Sequence, residues 1–193
     1  MCGRLVVVIP DLSVLVEPFH IARLGPELWQ PRFNIAPTQL APVVTNETDR
    51  RLDLFHFGLV PSWANDKKIA SKLINARVET VATRNAFRRA LTLRRCIVPV
   101  SGYYEWQQLP GQKRPLFIHD ARNAIVPLAG IWERWHSHDG EVLESFAVLT
   151  RPAAGFLRDV HDRMPIAVPW SEIDRWLDPA PQAADALTPI LRS

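Results

Sequence analysis

Short apolar runs cut by proline dominate the pattern along this chain, which carries 17 prolines in 193 residues. Runs of that length suit strands crossing a small sheet better than helices. Leu5–Ile9 reads as a strand that begins directly after Cys2-Gly3-Arg4, so sheet pairing would anchor this end of the chain. Pro42–Thr45 reads as another. Arg51–Phe57 alternates apolar and polar positions and ends at Gly58. Ile97–Val100, Leu116–Ile118, Ile125–Ile131, Phe146–Leu149 and Ile166–Val168 suit buried strands. Residues 32–38 read as a loop. Four stretches read as helices: Leu12–His20, Asn75–Leu91, Ala153–Val160 and Ser171–Leu177, the last with Ser171 as N-cap. In the second, Val78, Val81, Ala82, Phe87 and Leu91 approximate one apolar face, with Arg84, Arg88 and Arg89 on the others. Strands outnumber helices and do not alternate strictly with them. The expected fold is therefore a single mixed α+β domain over residues 1–193, with an antiparallel, barrel-like sheet flanked by short helices.

Composition narrows the picture. An apolar content of 47% is ordinary for a globular chain with a core. No apolar run is long enough to span a bilayer. Val6–Ile9 is too short for a signal-peptide core, and Pro10 and Asp11 end it. The expected location is the cytoplasm. A reducing compartment argues against a disulfide between the two cysteines, and without a C-x-x-C spacing neither suits a zinc site. Cys96 reads as a small buried hydrophobe. No metal, no organic cofactor and a monomer are expected. The net charge of +3 is unevenly spread: residues 1–100 carry 14 Lys/Arg against 8 Asp/Glu, and residues 101–193 carry 9 against 12. Lys67 to Arg95 holds nine basic residues and one acid, Glu79. Such a field attracts a polyanion, and a solvated basic helix face is the plainer alternative.

Five features could carry chemistry. Cys2 would, once Met1 is removed, present an α-amine and a thiol on one residue, a 1,2-aminothiol able to close a thiazolidine ring on an aldehyde. Taken alone, Cys2 at the second position is better explained by chance. In Ile74–Glu79, polar groups alternate with apolar ones. In Val98–Trp106, an apolar strand enters a Gly turn and sets Glu105 among aromatics. A carboxyl so desolvated would have a raised pKa suited to acid–base work, unless it is satisfied by an arginine. His161, in Val160-His161-Asp162-Arg163-Met164-Pro165, has the side chain that titrates nearest neutrality, although a lone loop histidine is commonly surface decoration. Trp63 lies in a loop just before the basic stretch, where an aromatic either stacks on bases or caps the core.

Together, Met1–Arg4, Asn75-Ala76-Arg77-Val78-Glu79, Pro99–Trp106 and His161–Pro165 resemble the signature of the SRAP family, the SOS response-associated peptidases, also described as abasic-site processing proteins. Phe33–Pro37, Gly58–Trp63 and Ala129–Trp132 match as well, and the resemblance extends to about Leu177. It implies an enzyme that shields abasic sites in single-stranded DNA. Cys2, freed of Met1 by autoproteolysis, would cross-link to the ring-opened aldehyde, with associated lyase-like chemistry. Asn75 would hold the N-terminal residue, Glu105 would act as general acid and base, and His161 would assist ring opening and reversal. Arg4, Arg77 and Arg163 match phosphate-contacting positions, Pro37 and Trp63 match base-packing ones, and Thr150 would lie near the strand. Two rivals stay open: a thiol peptidase using Cys2, and a non-catalytic single-strand binder. The Ala/Pro-rich stretch Ala180–Ala186 departs from the family pattern and leaves closure of the C-terminal part of the fold as a question.

Overall fold

A computed structural model describes residues 2–25, 29–122 and 124–192. Its strands are β1 (Arg4–Val7), β2 (Arg23–Leu24), β3 (Arg32–Ile35), β4 (Leu40–Thr45), β5 (Arg51–Phe57), β6 (Asn75–Arg77), β7 (Arg95–Val100), β8 (Gly102–Leu109), β9 (Gln112–Ile118), β10 (Val126–His136), β11 (Val142–Pro152) and β12 (Arg163–Pro165). The helices are short: α1 (Val16–Phe19), α2 (Arg88–Leu93), α3 (Ile173–Trp176) and α4 (Thr188–Arg192), with 3-10 turns between.

One sheet runs β12-β11-β10-β7-β4-β5-β2, and β5 pairs again with β11, in parallel, at Ser145–His56 and Phe146–Phe57. That pairing closes a five-stranded barrel of β11, β10, β7, β4 and β5. Closure removes the exposed strand edges that an open sheet would present. The barrel wall faces a core that includes Phe55, Phe57, Ile97, Val98, Ile131 and Phe146, all fully buried. At the closing point Gly58 has φ +122, and a Cβ there would lie 2.5 Å from the Ala70 carbonyl oxygen. Only glycine fits that turn. A second sheet, β3-β1-β8-β9, lies beside the barrel; β1 pairs antiparallel with β8, placing Arg4 opposite Tyr104 and Leu5 opposite Tyr103. The fold is α+β, as expected.

The largest correction falls on Asn75–Leu91. It is not a helix: Asn75–Arg77 is strand β6, hydrogen-bonded parallel to Val148–Thr150 of β11. The backbone continues the ladder on both sides, with Val148 N–H donating to Ile74 and Val78 N–H to Thr150, each at 3.0 Å. Turns then carry the chain to α2, which begins only at Arg88. The alternation of Ile74, Ala76 and Val78 with Asn75 and Arg77 has a period of two, and pairing with a barrel strand outweighs the looser helical spacing. Three smaller differences follow the same logic. Residues 32–35 form strand β3 at a sheet edge, not a loop. Leu12–His20 is a short helix as expected, a 3-10 turn at Leu12–Leu15 running into α1; Ala153–Val160 narrows to a 3-10 turn at Gly155–Asp159, and Ser171 lies inside another and caps nothing. The strand expected at Ile166–Val168 sits earlier, at β12, with only a bridge from Ala167 to Leu128.

The Ala/Pro-rich stretch is closed from an unexpected source. Arg95, fully buried, donates to the carbonyls of Leu91, Thr92, Trp176 and Ala180, and to that of Asp178. Asn46 also donates to Asp178 O, and Gln182 N–H to Thr92 O. Leu187, Ile190 and Leu191 of the last segment are buried. Arg95 therefore belongs to the core, not to a basic surface. Its neighbour Arg94 pairs with buried Glu133 at 2.9 Å. The free part of the basic stretch is accordingly smaller than its sequence suggests.

Candidate active site

Cys2 is fully buried just before β1. Asn75, at the start of β6, donates its Nδ2 to the Cys2 carbonyl at 3.0 Å. Its Oδ1 is buried and accepts no hydrogen bond among the described residues. Glu105 and Tyr103 are two apart on β8, so both point to the inner face of the sheet, and both are buried. Glu105 Oε1 accepts the Trp106 backbone N–H at 3.2 Å. Burial pushes the Cys2 thiol pKa well above its ordinary 9.0, and the neighbouring Glu105 charge adds to this. Burial likewise raises the Tyr103 hydroxyl, with Cys2 and Glu105 contributing. The structure thus brings Cys2, Asn75 and Glu105 together and adds Tyr103. Sequence reasoning passed over Tyr103, although its i, i+2 relation to Glu105 on a strand was a usable signal.

A second group is organised by Thr150 of β11. Thr150 lies opposite Arg77 of β6 on one side and Pro165 of β12 on the other. Arg77 is exposed, whereas Thr150 is fully buried, its hydroxyl 3.5 Å from the Ala76 carbonyl. Arg163 grips Glu79 with two hydrogen bonds, at 2.6 and 2.9 Å, and donates to Thr150 O at 2.6 Å. The Arg163 bonds hold the Glu79 carboxyl below its ordinary 4.5. Glu79 as the holder of Arg163 was not foreseen; the one acid in a basic stretch was the available sign. His161 Nδ1 receives the Arg163 backbone N–H at 3.0 Å and lies 2.6 Å from Asp162 Oδ1. The first contact needs a bare Nδ1 and the second an Nδ1–H, so only one of the two can be a hydrogen bond in any one tautomer.

The remaining expected positions lie on surrounding loops and edges. Arg4 is half-buried and donates to Asn34 Oδ1 at 3.0 Å. Pro37 sits in the turn whose Thr38 N–H bonds the Phe57 carbonyl, at the end of β5. Trp63 is 54% exposed in the loop that follows the same end. Among the described residues no group of three His, Cys, Asp or Glu is placed to hold a metal ion.

The profile of the SOS response associated peptidase (SRAP) family matches residues 1–193. The chain belongs to the SRAP family. It is 35% identical to abasic site processing protein YoaM of Bacillus subtilis, over 99% of this chain and 85% of that one. It is 27% identical to the rat abasic site processing protein HMCES, over 92% of this chain and 64% of that one. Among solved structures, a Bacteroides thetaiotaomicron protein superposes with a TM-score of 0.86 at 24% identity, covering 98% of this chain and 86% of its own. A phage-related protein of Bordetella bronchiseptica superposes at 0.76 with 28% identity, covering 99% and 88%. The SRAP fold is thus established for the chain, and no helix among its described residues is long and apolar enough to cross a membrane.

Proposed function

We propose that this SRAP protein processes abasic sites in single-stranded DNA by linking Cys2 covalently to the opened sugar. The observation that carries the reading is the enclosure of Cys2 by Asn75 and Glu105 at the start of β1. The relatives named as abasic site processing proteins supply the substrate class. Removal of Met1 is the first requirement, because an acylated nitrogen is not a nucleophile. The freed Cys2 amine attacks the aldehyde carbon, and the carbinolamine loses water to give an imine. The thiol then adds to the imine carbon and its proton passes by way of the site to the imine nitrogen, leaving a thiazolidine with a ring N–H. The net change is one C–N and one C–S bond formed and one water released.

Each neighbour has a task in that sequence. The raised thiol pKa means that Cys2 arrives protonated, so a base must take the proton as sulfur adds. Glu105 is that base and the donor for water loss. The open Oδ1 of Asn75 suits the hydrogens of a free Cys2 amine, while its Nδ2 fixes the residue's carbonyl. Holding amine and thiol against one carbon makes ring closure intramolecular, equivalent to an effective concentration of roughly 10⁵ M or more for well-oriented groups. His161 can take or release a proton as it exchanges Arg163 N–H for Asp162, which suits opening of the closed sugar. Arg77 and Arg4 meet phosphates, Trp63 and Pro37 meet bases, and Thr150 and Glu79 set Arg163.

Denaturing electrophoresis with a strand carrying one abasic site tests the reading. A heat-stable adduct is expected, absent with Cys2→Ala. Glu105→Ala should slow adduct formation about 100-fold or more, the ordinary scale of a lost general acid or base, with little change in affinity for the strand. Equal losses in rate and affinity would assign Glu105 a structural role, and cleavage of unrelated peptides without an adduct would favour the peptidase.

A further inference from the structure

The sheet that buries Tyr103 and Glu105 on one side carries aromatic rings on the other. The register sets Arg4, Tyr104 and Phe117 side by side across β1, β8 and β9. Tyr104 and Phe117 have ring centroids 5.5 Å apart, and Phe117 stacks on His119 at 5.2 Å and 17°. Gly102 makes this possible, since a Cβ there would lie 2.5 Å from the Phe117 ring. Across the sheet, Phe33 is 65% exposed, and Phe117 is 43% exposed. Between them lies a cleft of about 410 Å³ with Val6 among its lining residues. None of these rings serves the buried core, and so large an apolar face left in water marks a binding surface.

The charge around the cleft suits a phosphate backbone. Arg4 stands at one end of the row, two residues from Cys2, and Lys113 lies on the same face of β9. The one acid at the cleft, Asp120, is turned to its own loop, accepting the Arg122 backbone N–H at 2.8 Å with the Arg122 side chain 3.6 Å away. Tyr104 is tilted 48° to Phe117, so the near-parallel pair is Phe117 and His119. Exposed rings spaced along a sheet with flanking cations suit unpaired bases, which all present a flat π-face.

We propose that the outer face of the β3-β1-β8-β9 sheet is a base-stacking platform that takes an unpaired nucleotide flanking the residue held at Cys2. The inference rests on the reading of single-stranded DNA as the partner, but not on the covalent step. It assigns Phe33, Tyr104 and Phe117 to strand binding.

Undamaged single strands test it, because they carry no aldehyde. Strands with 5-iodouracil at successive positions are irradiated with the full chain, and the attachment sites are mapped by mass spectrometry. Cross-links to Phe33, Tyr104 or Phe117 from one position in the strand are expected. Phe117→Leu keeps an apolar side chain but loses the stack. It should weaken binding of a long strand about five- to tenfold and leave a strand too short to leave the Cys2 site unchanged. Phe117→Trp should restore binding. Cross-links confined to Trp63, or wild-type affinity in Phe117→Leu, would overturn the proposal. So would a dimer in light scattering that Phe117→Leu dissolves, since a second copy would then own the face. An absent abasic adduct alongside these cross-links would defeat the covalent reading and leave this one standing.

Discussion

A buried thiol is a poor nucleophile until something removes its proton, and Cys2 is such a thiol. Desolvation first, then the Glu105 charge, keeps it protonated at neutral pH. In the folded protein, Cys2 and the equally buried Cys96 should therefore be alkylated by iodoacetamide far more slowly than in denaturant, as read by intact mass. The same shift has a stability consequence. The unfolded thiol ionises near 9.0 and the folded one above it, so the folded state binds the extra proton at alkaline pH. The stability contribution is complete below 9.0 and is lost as the pH rises beyond it, which urea titrations between neutral and alkaline pH will show as a falling midpoint. Glu79 works in the opposite sense. Its pKa is depressed below 4.5 by Arg163, so its contribution holds above that value and fades as the pH falls below it. Because the Glu79 side chain is 44% exposed, the stability at stake is small, about 0–1 kcal/mol. Glu79→Gln should instead show itself in binding. Releasing Arg163 should tighten an undamaged single strand about two- to threefold and steepen the salt dependence, measured by fluorescence anisotropy.

Among the elements, β5, β7, β10 and β11 could be read from their sequences because each is an apolar or alternating run bounded by turn residues. The tripeptide before β1 and the Gly turn before β8 were legible for the same reason, and with them Cys2 and Glu105. β6 was not, because it is only three residues long and exists through its bonds to β11, and its short period-two alternation runs into the looser helical spacing that follows. The error at 75–91 had a site consequence: a helix would have turned Asn75 and Arg77 apart from Thr150, whereas the strand fixes all three in register. Asn75→Ala tests how much β6 contributes through that one side chain. Losing the bond to the Cys2 carbonyl should cost about 1 kcal/mol in thermal denaturation. Adduct formation should slow well beyond what that loss of stability explains.

The whole molecule depends on two closures that no local pattern announces. The barrel is closed by the short β5–β11 pairing, whose partners are some 90 residues apart in the chain. The C-terminal segment is held partly by an arginine whose charge looked like part of a nucleic-acid surface. Arg95 serves five backbone carbonyls with no carboxylate bonded to it among the described residues, so Arg95→Met would take a donor from all five at once, leaving Asp178 O with Asn46 and Thr92 O with the Gln182 N–H. A loss of about 3–5 kcal/mol is expected in urea unfolding, the scale of breaking a buried charged network. The positive surface that remains is the exposed set around Arg77, Arg88 and Arg89. Under the proposed mechanism, a free Cys2 amine and thiol close together on one abasic aldehyde. Intact mass spectrometry of the protein after incubation with a single-abasic strand measures this directly. The account predicts one new species, equal to the chain without Met1 plus the strand minus one water, and its absence in Cys2→Ala. A species that retains Met1, or an adduct of the same mass balance in Cys2→Ala, would contradict it.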